Sequence, residues 1–258
     1  MDDVNARAAE LLRLHQDPEL LTLVNVWDVV SARVVADTPG TKAIATASHS
    51  IAAAFGYEDG EQIPAGLMLE MVGRIAAATD LPVTADLEGG YGDAPQAVRA
   101  AIGLGLVGAN IEDQMRPVAE AAAQVEEIMK VVEEEGIDFV LNARTDAFLR
   151  AGDRDPAEVL ADAVERGRAY LDAGAPVVFV PGRLDEEQVS TLVEAFGRQR
   201  LTMLGIPGVP SPARLQELGV ARVSYGPMPQ WVALTALQDL AGDLYAGGEP
   251  PATMRQLS

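Results

Sequence analysis

The chain has 258 residues, of which 48% are hydrophobic, and its 39 acidic against 19 basic side chains give a formal net charge of −20. Such a surface repels nucleic acid and anionic membranes, so neither is expected as a partner. The sequence contains no cysteine, which excludes disulfides, thiol nucleophiles and thiolate metal sites.

The N-terminal stretch "MDDVNARAAELLRLHQDPE" is mixed in charge and helical in pattern, without the basic start and apolar middle of a signal peptide. No apolar run in the chain approaches the roughly 18 residues needed to cross a bilayer. We therefore expect a cytoplasmic protein that begins with an extra helix. His15, on that helix, is predicted to face solvent.

Short apolar runs then alternate with amphipathic stretches, a pattern typical of strands that alternate with helices. The predicted strands cover residues 21–26, 42–47, 82–87, 108–112, 139–143, 176–180, 201–206 and 222–226. The predicted helices cover residues 29–37, 64–78, 94–104, 119–135, 156–173, 185–196, 211–218 and 227–245. The helix at 156–173 has clear boundaries, with Asp155 as N-cap, Pro156 in its first turn and Gly174 just past its end.

Eight strands, each followed by a helix, predict an α/β fold of the (β/α)8 TIM-barrel type, whose usual length is about 250 residues. The strands are nearly continuous apolar runs, as expected for parallel strands covered by helices. A doubly wound open sheet is the alternative, but "NVWDVVSARV" after the first strand lacks its glycine-rich phosphate turn. We expect a single barrel domain over residues 1–258, with its core at about 20–245.

The active site of such a barrel lies at the carboxyl ends of the strands. Asp86 and Glu88 stand one residue apart at the end of the third predicted strand, and Glu112 ends the fourth. Side chains alternate along a strand, so Asp86 and Glu88 are expected to point the same way, beside Glu112. Carboxylates this close would resist joint ionisation without a cation, and an all-oxygen set favours Mg²⁺ or Mn²⁺.

A purely structural role is also compatible with these charged residues. The acids could pair with basic side chains or cap the next helices instead of holding a metal. Arg144, at the end of the fifth predicted strand, suits a substrate carboxylate or a developing oxyanion. Its alternative is an internal salt bridge with Asp146 or Glu112.

The motifs "ADLEGGYG", "NIEDQ" and "NARTDA", at their spacing here, resemble the isocitrate lyase/phosphoenolpyruvate mutase superfamily. "DVVSARV" and "FGYEDGEQIP" add to the match, which runs from about residue 20 to 245. The superfamily usually has Asp-x-Asp in the first motif, where this chain has Asp86 and Glu88. The resemblance implies a barrel assembled as a homo-oligomer, a dimer or tetramer, with the last helix exchanged between neighbours.

The resemblance also implies Mg²⁺ and a small anionic carboxylate substrate, a 2-oxo acid or a 2-hydroxy acid that yields one. The shared chemistry makes or breaks a C–C or P–C bond beside a metal-bound enolate. The positions that match metal ligands are Asp86, Glu88 and Glu112. The positions that match substrate-binding or catalytic residues are Ala47, Ser48, His49, Asp59 and Arg144. His49 could donate a hydrogen bond to the substrate or move a proton.

Three departures narrow the activity. The chain lacks the catalytic cysteine of isocitrate and methylisocitrate lyases, which excludes those branches. The segment "DQMRPV" after the fourth strand is too short for the lid by which a mutase keeps water from its intermediate. After the sixth strand, Pro181 and Gly182 replace polar phosphonyl contacts, and Arg183 either substitutes for them or is a surface arginine.

We therefore predict a Mg²⁺-dependent lyase that cleaves or decarboxylates a small 2-oxo or 2-hydroxy acid, of the oxaloacetate or alkylmalate type. The alternatives are a P–C bond enzyme, namely a phosphonopyruvate hydrolase or phosphoenolpyruvate mutase, and a barrel that binds a 2-oxo acid without turnover. A metal-dependent aldolase of different lineage would use similar residues.

Overall fold

Nine short parallel strands form the centre of the protein in a computed structural model that describes residues 2–257. The strands are β1 (Leu21–Leu23), β2 (Asn25–Val26), β3 (Ile44–Thr46), β4 (Val83–Asp86), β5 (Gly108–Glu112), β6 (Val140–Arg144), β7 (Val177–Val180), β8 (Leu201–Leu204) and β9 (Arg222–Ser224). β1 pairs with β9 and β2 pairs with β3, so the sheet closes on itself across the single residue Val24. Because β1 and β2 occupy one predicted strand, the (β/α)8 prediction is confirmed.

Helices surround this ring. They are α1 (Asp2–Gln16), α2 (Val29–Ala36), α3 (Ser48–Ala54), α4 (Ala65–Ala76), α5 (Ala94–Gly103), α6 (Val118–Glu135), α7 (Pro156–Asp172), α8 (Glu186–Phe196), α9 (Pro212–Leu218) and α10 (Met228–Tyr245). Every predicted helix is present, including the extra one at the N-terminus. The seven-residue α3 was not predicted, because it follows β3 directly and its N-cap, Ala47, makes no side-chain hydrogen bond that would mark a helix start.

The helix boundaries follow from capping chemistry visible in the sequence. Asp155 accepts a hydrogen bond from the backbone N–H of Ala157 at 2.8 Å, as its predicted N-cap role requires. Asp185 and Gln188 form a capping box at the start of α8. α6 ends at Gly136, whose φ of 66° is the left-handed conformation that glycine adopts without a Cβ penalty.

Helix α1 covers the end of the barrel where the strands begin. Its buried side chains, Leu11 and Leu14 among them, pack against residues at the amino ends of the strands, such as Val107 and Val177. His15 follows Leu11 by one turn and therefore lies on the same face. It is fully buried, with Nδ1 2.8 Å from the carbonyl oxygen of Leu11, so the prediction that it faces solvent is wrong.

Helix α10 contrasts with the other long helices because most of its apolar surface is exposed. Only Gln230 is buried on this helix. Large apolar side chains are at least half exposed along it: Trp231, Val232, Leu234 and Leu237. Across residues 2–257, no helix combines the length and the apolar character that spanning a membrane would require.

Candidate active site

A cavity of about 220 Å³ opens at the carboxyl ends of the strands, the end at which the sequence placed the site. One side of it is polar and includes Ser48, His49, Asp59, Asp86, Asn110 and Arg144. The other side is apolar and includes Leu149, Phe179, Pro181, Leu204 and Trp231. The cavity therefore suits a small ligand with one charged end.

Asp86 is held at the polar side by the strand and helix that precede it. Its Oδ2 accepts a hydrogen bond from the hydroxyl of Ser48 at 2.9 Å, and its backbone N–H donates to Oγ1 of Thr46 at 3.0 Å. Its other oxygen, Oδ1, is buried and has no hydrogen-bond partner within the described chain. One fixed carboxylate oxygen is thus free to bind a ligand.

His49 and Asp59 lie on the same side of the cavity. The Nδ1 atom of His49 is 3.6 Å from Oδ2 of Asp59, and the hydroxyl of Ser48 is 3.5 Å from Oδ1 of Asp59. The imidazole also meets the indole of Trp231 edge to face, with ring centroids 5.9 Å apart. The four predicted residues Ala47, Ser48, His49 and Asp59 all line the cavity.

Arg144 faces the cavity and also makes both of the internal salt bridges considered from the sequence. Its Nη2 is 3.0 Å from Oε2 of Glu112, and its Nε is 2.8 Å from Oδ1 of Asp146. Burial opposes the charged form, but the carboxylates of Asp86 and Glu112 outweigh it and raise the pKa of Arg144. The guanidinium is therefore fixed in direction and permanently charged.

Glu88 is oriented differently from the prediction. β4 ends at Asp86, and Glu88 has a left-handed φ of 53°, so the alternation that would align it with Asp86 no longer applies. Its carboxylate accepts hydrogen bonds from the Tyr91 hydroxyl at 3.0 Å and from the backbone N–H of Glu61. Burial raises the pKa of Glu88 to about 7, and the nearby charge of Asp86 adds to the effect.

Glu112 ends β5 directly opposite Arg144 in the β5–β6 register. Burial raises the pKa of Glu112 to about 7, against the lowering effect of Arg144, and the charges of Asp86 and Glu88 contribute to the rise. The three carboxylates are therefore close enough to repel one another. The basic groups of the site leave that repulsion partly uncompensated.

Comparisons with known proteins identify the family of the chain. The sequence model of the phosphoenolpyruvate phosphomutase family matches residues 11–245. The chain belongs to this family. An uncharacterized protein of Mycobacterium tuberculosis is 30% identical over 93% of this chain and 91% of its own length. An oxaloacetate decarboxylase of Pseudomonas putida is 31% identical over 83% of this chain and 76% of its own.

A solved structure extends the likeness to three dimensions. A putative phosphonomutase from Burkholderia cenocepacia is 41% identical and superposes with a TM-score of 0.86, over 92% of this chain and 100% of that one. The superfamily predicted from the motifs is thereby confirmed. As a member of the phosphoenolpyruvate phosphomutase family, the protein is an enzyme of a superfamily of carbon–carbon lyases and mutases.

Enzymes of this superfamily depend on a metal, so the fit of a divalent cation to the site matters. Within residues 2–257 no three His, Asp or Glu side chains are already arranged to hold an ion, so the assembled three-carboxylate centre expected from the sequence is not seen. The free, buried Oδ1 of Asp86 nevertheless offers a hard oxygen donor. The carboxyls of Glu88 and Glu112 are engaged by Tyr91, Glu61 and Arg144, and the pKa of each is raised to about 7, so a nearby cation would favour their charged forms.

Asp113, the residue after Glu112, anchors the loops around the site. Its Oδ2 accepts hydrogen bonds from the Tyr170 hydroxyl at 2.7 Å and from Nη1 of Arg166 at 3.1 Å. Its Oδ1 accepts from the backbone N–H of Met115 at 2.9 Å and of Asp146 at 3.1 Å. Burial tends to raise the pKa of Asp113, but these hydrogen bonds together lower it. Asp113 therefore stays charged and holds the Arg144–Asp146 segment in place.

Arg183 is not brought to the site. It is exposed, packs beside Gly208 and is absent from the part of the described chain that lines the cavity. Its exposure agrees with the second of the two expectations for it, a surface arginine, and substrate binding by Arg183 stays a prediction. Pro181, two residues earlier, lines the cavity with apolar surface instead.

Two asparagines in apolar strands were not predicted to matter for the site. Asn25 accepts hydrogen bonds from the backbone N–H groups of Tyr225 and Gly226 at 2.7 and 2.9 Å, and so ties the start of the barrel to the loop before α10. Asn110 lines the cavity opposite Asp86 in the β4–β5 register. A polar amide within an otherwise apolar strand is the signal that could have identified both.

Proposed function

We propose that this protein is a Mg²⁺-dependent lyase that acts on a small 2-oxo or 2-hydroxy carboxylic acid by C–C cleavage or decarboxylation, of the oxaloacetate or alkylmalate type. The observation that carries the proposal is the small cavity in which the free carboxylate oxygen of Asp86 and the fixed guanidinium of Arg144 share one wall. The name of the related Pseudomonas putida enzyme, oxaloacetate decarboxylase, supports the same reaction type.

Asp86 would hold the metal, with Glu88 and Glu112 as further ligands, directly or through water. Mg²⁺, or Mn²⁺ in its place, would act as a Lewis acid that polarises the substrate carbonyl and stabilises enolate charge. The acids themselves contribute preorganised negative charge that attracts the cation. Asp86 is kept in place for this role by Ser48 and Thr46.

Arg144 would bind the substrate carboxylate or the developing oxyanion. Its guanidinium is already aligned by Glu112 and Asp146, so little conformational freedom would be lost on binding. A charged donor fixed before the reaction is the arrangement that most effectively stabilises negative charge in a transition state.

His49 and Asp59 would transfer protons to or from the substrate at the polar side of the cavity. The Nδ1 atom of His49 lies 3.6 Å from the Asp59 carboxylate, and an imidazole can both donate and accept a proton. Asp59 would hold the proton on His49 and orient its ring toward the substrate. Ser48 and the backbone of Ala47 would complete the contacts to the substrate carboxylate.

A P–C bond enzyme is the second candidate, favoured by the 41% identical structure described as a putative phosphonomutase. Two features favour the C–C lyase over this P–C bond enzyme. The cavity wall beside β7 presents Phe179 and Pro181, which offer nothing to a phosphonyl dianion. The link between β5 and α6 is only residues 113–117, too short to exclude water from a reactive intermediate.

Assays with oxaloacetate, alkylmalates and phosphonopyruvate, each with and without Mg²⁺, test the proposal. Mg²⁺-dependent release of CO₂ or a C–C cleavage product supports it. Phosphate released from phosphonopyruvate, with no carboxylate cleaved, would show that the second candidate is right. Tight binding of 2-oxo acids without turnover on any compound would identify a binding protein instead.

We also propose that the protein assembles as a dimer or tetramer in which α10 packs against a neighbouring copy. The exposed apolar side chains Val232, Leu234 and Leu237 support this, since contiguous exposed apolar surface marks protein interfaces. Trp231, on the same helix, lines the cavity and contacts His49. The position of α10 would thus connect assembly to the site.

A further inference from the structure

Arg222 is a buried arginine without a counter-ion in the interior of the barrel. It is the first residue of β9 and is 1% exposed. Its Nη2 lies 3.5 Å from Oδ1 of Asn110, whereas Nε and Nη1 have no hydrogen-bond partner in the described chain. No carboxylate within residues 2–257 forms a salt bridge with it.

A buried, unpaired guanidinium lowers the stability of the folded state. An arginine buried without a carboxylate loses its hydration and gains no ion pair in return. Burial lowers the pKa of Arg222 to about 10, although the charge of Asp86 partly opposes that fall, so the guanidinium still carries its charge at neutral pH. The neighbouring His15 cannot compensate, because its burial and the charge of Arg222 lower its pKa to about 3 and leave it neutral.

The uncompensated charge lies under the polar wall of the cavity. Asn110, which Arg222 contacts, lines the cavity and is the register partner of Asp86. Asn110 Oδ1 also accepts a hydrogen bond from Nδ2 of Asn142 at 2.8 Å. With Oδ1 held inward by two donors, the amide nitrogen of Asn110 is directed to the other side, where the cavity is.

We infer that Arg222 is a positioning residue for anion binding: it orients the Asn110 amide so that Nδ2 donates into the cavity, and its own charge attracts the anionic substrate from below. The inference rests on the proposed function, because it assumes that a small carboxylate occupies this cavity. It assigns a role to Asn110 and Arg222, for neither of which a role was predicted, and it explains why an unpaired cation is retained in a protein of net charge −20.

A role in anion binding and a role in folding predict different effects of removing Arg222 on ligand affinity and on stability. If the charge serves binding, its removal weakens anion binding while stability is kept or improved, since an unpaired buried charge is replaced by apolar surface. If Arg222 instead supports the fold, its removal lowers stability and disturbs every ligand equally. The affinity for a divalent cation is a further test, because loss of the positive charge of Arg222 cannot weaken cation binding electrostatically.

Oxalate in the presence of Mg²⁺ is a suitable probe, measured by titration calorimetry on the full chain. Arg222→Met is the test variant, Arg222→Lys at pH 6 keeps a charge, and Thr84→Val is the matched control. Thr84 is also buried, on β4, but it carries no charge and does not line the cavity. Thermal unfolding and Mn²⁺ binding without oxalate complete the measurements.

We expect Arg222→Met to weaken oxalate binding by about tenfold or more, with an unfolding temperature at or above that of the wild type and with Mn²⁺ affinity kept or increased. Arg222→Lys and Thr84→Val should bind oxalate within about threefold of the wild type, because neither removes the charge. Unchanged oxalate affinity in Arg222→Met overturns the inference. So does a variant that fails to fold, or a lysine variant as weak as the methionine one. Failure of the wild type to bind oxalate would instead refute the proposed function.

Discussion

Arg144 and Glu112 face each other across β5 and β6, with Nη2 and Oε2 3.0 Å apart, and Oδ1 of Asp146 lies 2.8 Å from Nε of the same guanidinium. The Arg144 guanidinium is thus held by two carboxylates before any substrate binds. Preorganisation of this kind explains how a residue engaged in salt bridges can still serve a ligand. Its charge and direction are set, while the side chain still lines the cavity.

Replacing Arg144 with lysine tests this arrangement. A lysine keeps the charge but cannot contact Glu112, Asp146 and a substrate carboxylate with one planar group. We expect kcat/KM to fall by about 100-fold for the best substrate in the panel. Arg150→Lys is the control, since Arg150 is an exposed outer partner of Asp146 and should be close to wild type. Near-wild-type kinetics in Arg144→Lys would remove the assigned role.

Asp86 should be required for ligand binding but not for folding. Asp86→Ala removes the free Oδ1 and is expected to abolish Mg²⁺-supported binding of pyruvate or oxalate in titration calorimetry. Its unfolding free energy should stay within about 1 kcal/mol of the wild type, because massed carboxylates are a functional feature and not a stabilising one. Asp80→Ala, at an exposed position, is the control. Metal-supported binding that survives in Asp86→Ala would contradict the site.

The pH dependence of stability should reveal the crowded carboxyls. The pKa values of Glu88 and Glu112 are raised to about 7, so the folded protein binds more protons than the unfolded chain between about pH 4.5 and 7. Without metal, their contribution to stability is full below that window and is lost as the pH rises through it. We expect the unfolding temperature to fall across this range and Mg²⁺ to reverse the fall.

Glu88→Gln provides the check on that interpretation. A glutamine keeps one oxygen that can accept from the backbone N–H of Glu61, and its amide nitrogen can donate to the hydroxyl oxygen of Tyr91, but the side chain cannot ionise. The metal-free decline in unfolding temperature should become shallower, by the equivalent of about 1 kcal/mol or more over the window. The exposed Glu58→Gln should leave the slope unchanged. An identical slope in wild type and Glu88→Gln would show that Glu88 does not carry the effect.

The exposed face of α10 should control assembly. Val232 is 70% exposed, and a glutamate there would place a charge in any interface formed by this helix. We expect Val232→Glu to reduce the oligomer to smaller species in light scattering coupled to size exclusion. Met254→Glu, equally exposed at 71% in the C-terminal tail, should assemble normally. An unchanged mass for Val232→Glu would exclude α10 as the assembly surface.

Local sequence patterns were enough to predict the barrel. The apolar runs, the N-cap at Asp155 and the glycine that ends its helix depend on residues within a few positions of one another. The strand ends followed from the same periodicity, and with them the side of the barrel that carries Asp86, Glu112 and Arg144. Each of these features is decided by short-range chemistry.

The details of the site depended on contacts between residues far apart in the chain. Glu88 turned away from its predicted direction because its φ is left-handed and loops from other strands hold its carboxylate. His15 is buried because α1 closes the barrel, and Arg183 lies outside the cavity because it packs on the loop at Gly208. Sequence by itself determined the fold and the chemical groups at its rim. Only the tertiary structure decided which groups face the ligand, because burial and partners are set by segments that periodicity cannot bring together.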